Sequence, residues 1–354
     1  MWRVRPSPSP LRSSPKAAAR CTNSASSSSP STRSRTPSRR EGGGARVSFG
    51  LLASTILQLL ALVAVGAALR TSGLLKREHA AVLNAVIVYA ALPALIFRVV
   101  YTAPLSWEVL RVAGVAWVVS LVGFVLAWAL ARTLRLPPRT AAGFIICSAI
   151  GNTGYIGYPV SKMLFGDTGL SRAVFYDVFG TVVLLLTIGI AIASRAGEHD
   201  EGRVSVLKEL FTFPAMLALL AALVARLVPV PEAVKAPVIE WLVLAGNMAV
   251  PLIMVSLGLS LTAAGFRGAP VALGLAAGVK LLVLPVVALF AARALGESES
   301  LRLVVLQAGM PTVMLSLVIG DRFHLDTEFI ASAILVTTAA AVATIPLVQM
   351  LLPA

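Results

Sequence analysis

Two cysteines in 354 residues, Cys21 and Cys147, exclude a disulfide framework. The three histidines, His79, His199 and His324, stand far apart, and no Cys, His or acid run has metal-ligand spacing. Charge is equally scarce, at 13% of residues, and only sixteen of these are acidic. Asp177 is the one carboxylate well inside an apolar stretch, and no H-E-x-x-H, G-x-S-x-G or P-loop pattern occurs. Acid–base or metal hydrolysis inside a membrane needs paired groups, so these absences argue against an enzyme and against any cofactor.

Hydrophobic residues, by contrast, make up 57% of the chain, and the mean hydropathy is +0.87. From residue 49 onward one apolar run follows another, many long enough to cross a hydrocarbon core at about 1.5 Å per residue. The chain reads as an all-α polytopic integral membrane protein. The formal charge of +14 does not signal nucleic acid. Ten of the thirty Lys and Arg and a single acid, Glu41, fall in residues 1–48, a Ser/Pro/Arg-rich tail without apolar period or recognition motif. That tail is expected to be disordered. It reads either as a transit-like peptide or as residues outside the mature protein, which then begins near Val47.

Ten spans are expected, near 51–70, 80–100, 108–131, 141–164, 171–194, 210–228, 236–261, 269–293, 301–321 and 327–352. Lys and Arg in the loops divide eleven to eight, the larger group running from Arg70, Lys76 and Arg77 to Arg267 and Arg322. By the positive-inside rule that group is cytoplasmic and both termini lie outside.

Two spans are interrupted by helix-hostile residues. One holds C-S-A-I-G-N-T-G-Y-I-G-Y-P, Cys147 to Pro159, and the other Q-A-G-M-P-T, Gln307 to Thr312. An unwound turn in lipid leaves orphan N–H and C=O groups at several kcal/mol each, so it persists only where it lines a cavity. The two breaks also belong to a repeat. Pro93 and Pro251 stand 158 residues apart, the same shift carries Asn152 and Thr153 onto Met310 and Pro311, and Asp167 matches Asp326 at 159. Two copies of five spans, residues 51–194 and 210–352, insert with opposite orientation because five is odd. Inverted repeats of this kind put a transporter's site at the midplane, where the broken helices meet.

The residues G-N-T-G-Y-I-G-Y-P, the M-P-T break, L-P-A-L-I-F of span two and V-P-L-I-M-V-S-L-G-L-S-L of span seven resemble the auxin efflux carrier family. That family spans bacterial malate- and malonate-type carriers and the plant PIN auxin carriers. The resemblance covers residues 51–353 and implies two inverted five-helix repeats, spans 4 and 9 crossing at their prolines, elevator-type alternating access and a carboxylate held at the crossing. By position it assigns Asn152, Thr153 and Pro159 to the first crossing segment and Pro311 and Thr312 to the second. Val313, Met314, Leu315 and Ser316 stand where several relatives have an asparagine, which makes that side of the pocket less polar. The Ala/Leu/Val/Arg usage is that of a GC-rich bacterium, hence an inner (plasma) membrane.

The candidate substrate-binding residues are therefore Asn152, Thr153, Gly154, Tyr155, Pro159, Met310, Pro311 and Thr312. Asn152 and Thr153 equally suit capping of half-helices, and Tyr155 and Tyr158 equally suit packing. Asp177 and Lys280 are intramembrane charges, which pair with each other, bind a coupling proton or draw an anion. Pro93 and Pro251 kink their spans beside the site, and Asn247 and Gln307 are expected as buried amides between helices. Gly151, Gly154 and Gly157 give the break its freedom. The expected function is secondary transport of a small organic anion across the lipid bilayer, with a homodimer as the expected assembly. An ion-coupled symporter or exchanger is the near alternative, and a non-transporting sensor or scaffold the distant one.

Overall fold

The computed structural model describes residues 49–76, 78–103, 106–197, 211–260, 270–298 and 300–352. The expected tail, residues 1–48, lies outside them. Among the described residues the chain is helical, with no strand and one isolated antiparallel bridge between Gly151 and Thr312. The helices follow in order as α1, Phe49–Thr71, α2, His79–Thr102, and α3, Trp107–Thr133. α4 is Pro138–Ala149, α5 Gly157–Ala196 and α6 Pro214–Ala225. α7 is Glu232–Leu259 and α8 Pro270–Ala294. α9, Leu301–Ala308, α10, Leu315–Arg322, and α11, Thr327–Leu351, complete the chain.

Six of these, α2, α3, α5, α7, α8 and α11, are long and apolar enough to cross a membrane. The other expected spans take different forms. Span six falls on α6, whose 12 residues rise only about 18 Å and do not cross a core of about 30 Å alone. Spans four and nine are each two helices with extended chain between them, α4 with the start of α5, and α9 with α10. α5 itself is kinked at Gly166, which has φ +68 and ψ −159. That conformation is closed to most side chains, and glycine alone enters it without strain. The helix resumes at residue 167, so Asp177 lies about three turns beyond the kink.

Proline shapes several helices in one way. It lacks an N–H and its ring collides with the carbonyl four residues back, so the preceding turn must loosen. In α2 the π-helical turn Ile87–Ala91 precedes Pro93, and in α8 the π-helical turn Val279–Val283 precedes Pro285. α7 is interrupted at Met248, just before Pro251. α5 carries two further π turns without a proline, Asp177–Val182 and Leu185–Gly189.

Lipid is as apolar as leucine, so close backbone approach replaces the hydrophobic effect between helices. A Cβ added at Gly66 of α1 would stand 2.2 Å from Val255 O of α7, and one at Gly258 of α7 would stand 2.0 Å from Val63 O of α1. Gly246 meets the Leu95 backbone at 3.0 Å in the same sense. That contact turns Asn247 outward, so Asn247 is exposed and not the buried amide expected between helices. At one helix end Arg226 donates to the carbonyls of Val100, Tyr101 and Ala103, at 2.8, 3.0 and 2.6 Å, closing the last turn of α2. Large apolar side chains such as Trp107, Leu227, Leu244, Phe290 and Leu351 cover the outside, where lipid would receive them.

Candidate functional site

The first break starts where Ile150 leaves the helix at φ −105 and ψ 125. The second starts at Gly309 and contains Pro311, which cannot donate to a helical ladder. The two extended pieces lie antiparallel on each other. Asn152 N donates to Pro311 O at 2.7 Å and Val313 N donates to Ile150 O at 3.2 Å. The Thr312 hydroxyl donates to Cys147 O at 2.8 Å and its N–H to Thr337 Oγ1 at 3.1 Å. Each break thus satisfies backbone groups that the other frees, which lets the chain unwind inside an apolar body.

Asn152 organises the chain after the first break. Its carbonyl accepts the N–H groups of Ile156 and Gly157, at 3.2 and 3.0 Å, and its Oδ1 accepts the Tyr155 N–H at 3.2 Å. The side chain thus closes the turn that leads into α5, using a local bond of the kind asparagine makes to a nearby backbone N–H. Its Nδ2 is buried and has no hydrogen-bond partner, an unusual state for a donor in a protein interior. Closing the turn therefore uses one end of the amide and leaves the other free.

Asp177, 8% exposed, closes a second cluster. Thr153 Oγ1 donates to one carboxylate oxygen at 2.5 Å and the Tyr158 hydroxyl donates to the other at 2.7 Å. A Cβ at Gly154 would stand 3.1 Å from that carboxylate, so glycine lets it lie against the break. Lys280 sits on another side. Its ammonium donates to Ala308 O at 2.8 Å, and its Cε and Nζ would each stand 2.9 Å from a Cβ at Gly151. No ion pair joins Lys280 to Asp177 among the described residues, so of the three roles left open for them, mutual pairing is not the one they take here. The crossing separates them, and each is held by the break nearest to it.

A cavity of about 630 Å³ opens on this crossing. Asn152, Gly154, Tyr155, Tyr158 and Asp177 line it, together with Gly151. Thr153, Pro159, Met310, Pro311 and Thr312 do not reach its surface and stand behind it as buried support. Pro93 and Pro251 are half-buried and exposed, and neither lines the cavity. Gln307 is a buried amide as expected, its Nε2 donating to Ser161 Oγ at 3.2 Å, while its Oε1 has no partner.

Sequence reading missed five polar wall residues, Asn84 and Tyr89 on α2, Thr181 on α5, Arg322 at the end of α10 and Thr338 on α11. Asn84 was unremarkable in its span, although it accepts the Ser256 hydroxyl of α7 at 2.7 Å. Arg322 was counted only as a loop cation. Its one legible signal was its place two turns beyond the second break on an eight-residue helix. Among the described residues no group of three His, Cys, Asp or Glu stands together to hold a metal ion.

The family of membrane transport proteins matches residues 51–349. An "Uncharacterized transporter" of Methanothermobacter thermautotrophicus is 32% identical over 300 residues, covering 83% of this chain and 96% of the relative. A second uncharacterized transporter, from Methanocaldococcus jannaschii, is 31% identical over 294 residues, 80% of this chain and 93% of its own. A protein of Rhizobium meliloti named "Putative malonate transporter" is 27% identical over 278 residues, 74% of this chain and 84% of its own. These relatives are transporters and not enzymes, and the chain is an integral membrane protein that belongs to the membrane transport protein family, that of the auxin efflux carriers.

Proposed function

We propose that the chain is a secondary carrier for a small organic anion, such as a carboxylate or an auxin-like acid, bound where the two helix breaks cross. The observation that carries this reading is the hydrogen-bonded pairing of the breaks at the wall of the 630 Å³ cavity. A helix begins immediately after each break, α5 at Gly157 and α10 at Leu315, and although the first N–H groups of α5 are taken up by the preceding turn, the start of a helix carries partial positive charge that suits an anion. The unpartnered Nδ2 of Asn152 and the cation of Arg322 on the wall add donors of the right sign. The relative named for malonate supports a small dicarboxylate.

The architecture we propose is ten spans in two inverted repeats, 51–194 and 210–352, moving as an elevator. Two features support it. Gly166 and His324, 158 positions apart, both turn with positive φ, at 68 and 50, and each half loosens its helix just ahead of the matching proline, Pro93 or Pro251. The protein would lie in a bacterial inner membrane with both termini outside, as a homodimer. Thermal unfolding in detergent, with malonate, malate, indole-3-acetate and the uncharged diamide of malonate, tests the binding site. An acid that raises Tm saturably, with no effect of the diamide, is expected. Equal shifts from acid and diamide would remove the anion from the reading.

A second reading, coupling to a proton, is favoured by Asp177, whose two oxygens meet hydroxyl donors and no cation. Tyr155, Tyr158 and Arg322 share its cavity wall and Tyr176 is its chain neighbour. On this reading Asp177→Asn still exchanges substrate but no longer accumulates it under an imposed pH gradient. Undiminished accumulation by the variant would remove Asp177 from coupling.

A further inference from the structure

A lysine side chain 1% exposed in the middle of an apolar helix is costly, and among the described residues no carboxylate pairs with Lys280. What it has is a position. Its ammonium donates to the carbonyl of Ala308 at 2.8 Å, and Ala308 is the last residue of α9, the half-helix that ends at the second break. Helix ends of this kind carry partial negative charge on carbonyls that no later N–H reaches. In broken-helix carriers the unwound carbonyls and half-helix C-termini are where a sodium ion or proton is coordinated.

Around the Lys280 head the chain is shaped to receive it. A Cβ at Gly151, at the centre of the first break, would stand 2.9 Å from the Lys280 Cε and Nζ, so glycine lets the lysine head lie against the break without shifting. The ammonium therefore lies between one half-helix C-terminus and the extended backbone of the opposite break. The π-helical turn Val279–Val283 adds a residue to α8 at that level, which changes the direction in which its side chains leave the helix. Asp177 lies on the other side of the first break and stays with Thr153 and Tyr158.

We infer that the Lys280 ammonium is a tethered cation occupying the place of a dissociable coupling ion, so that the crossing is held together and kept positive without sodium. The inference rests on the carrier reading of the crossing and adds to it which ion stands there. A positive charge that cannot leave also removes sodium as a driving ion at this position.

The test uses the full chain, purified, with sodium, lithium, methylammonium or choline as the only added cation at constant ionic strength. Tm in detergent and substrate counterflow in proteoliposomes are read in parallel. Wild type is expected to give the same Tm and the same exchange in sodium and in choline. Lys280→Ala, which empties the space, is expected to lose about 5 °C of Tm in choline and to regain it saturably with methylammonium or another small cation. Lys280→Met, which fills the space without charge, is expected to lose about tenfold in exchange and to respond to no cation. Sodium-dependent exchange by wild type, a folded Lys280→Ala protein that no small cation stabilises, or full exchange by Lys280→Met would each overturn the inference. If Lys280→Ala does not fold, wild type and Lys280→Met decide. The Tm arm contains no substrate, so a wrong carrier reading shows as absent exchange with cation rescue of Tm intact.

Discussion

Individual residues at the crossing divide into those that hold polar groups and those that leave them open. The Asp177 carboxylate is held by two hydroxyls, and removing one leaves a buried acceptor unmatched at about 1–3 kcal/mol. Tyr158→Phe is thus expected to lower Tm clearly, whereas Tyr155→Phe, whose hydroxyl holds no bond in this cluster, is expected to change stability by less than about 0.5 kcal/mol. Thermal unfolding of the two variants side by side checks this, and equal losses would mean that the Asp177 cluster is not what Tyr158 supports. Asn152 is the opposite case, since its Oδ1 caps the turn before α5 by accepting the Tyr155 N–H while its Nδ2 stays free. Its presence in an apolar span was legible from sequence, because an amide there demands a reason. Arg322 and Asn84 were not legible, since a cation at a loop edge and an amide in a span become wall residues only through the packing of α10 and α2 against the cavity.

Elements behave according to how closely their backbones approach. α1 and α7 touch at Gly66 and Gly258, where any added Cβ would overlap a carbonyl at 2.2 or 2.0 Å. Gly258→Val is expected to separate the pair and cost more than about 2 kcal/mol, read as a drop in Tm, while Gly274→Val on α8, with nothing within 4 Å of its added Cβ, is expected to leave Tm unchanged. The helix breaks were visible in sequence because Gly, Asn and Pro interrupt runs of Ile, Val and Leu. Their mutual pairing was visible only as an expectation from the repeat. The register that joins Asn152 to Pro311 and Ile150 to Val313 depends on how α4 and α9 meet, and no local preference encodes it. The kink at Gly166 falls between the expected spans four and five, which end at 164 and begin at 171, so its place was legible; what was not is that helix runs up to it on both sides.

At the largest scale the described residues form an apolar helical body with a polar crossing at its cavity. The basic residues 1–48 have no assigned part in that crossing, so a chain beginning at Val47 is expected to exchange substrate at the full-length rate in proteoliposomes. A loss of exchange in that truncation would assign the tail a part in transport or folding. The charge bias of the loops, eleven against eight, is small, and the orientation it implies is open to direct labelling of loop cysteines from each side. The central claim is that the paired breaks form a carrier's anion site. Counterflow of labelled malonate and related acids in proteoliposomes, wild type against Asn152→Ala, tests it most directly. Saturable exchange of one acid by wild type, reduced at least about tenfold in the variant while the lost turn bond lowers stability by only about 1 kcal/mol, is the predicted result. Exchange at the wild-type rate by a folded Asn152→Ala protein, or no exchange of any acid by wild type in sealed vesicles, would contradict it.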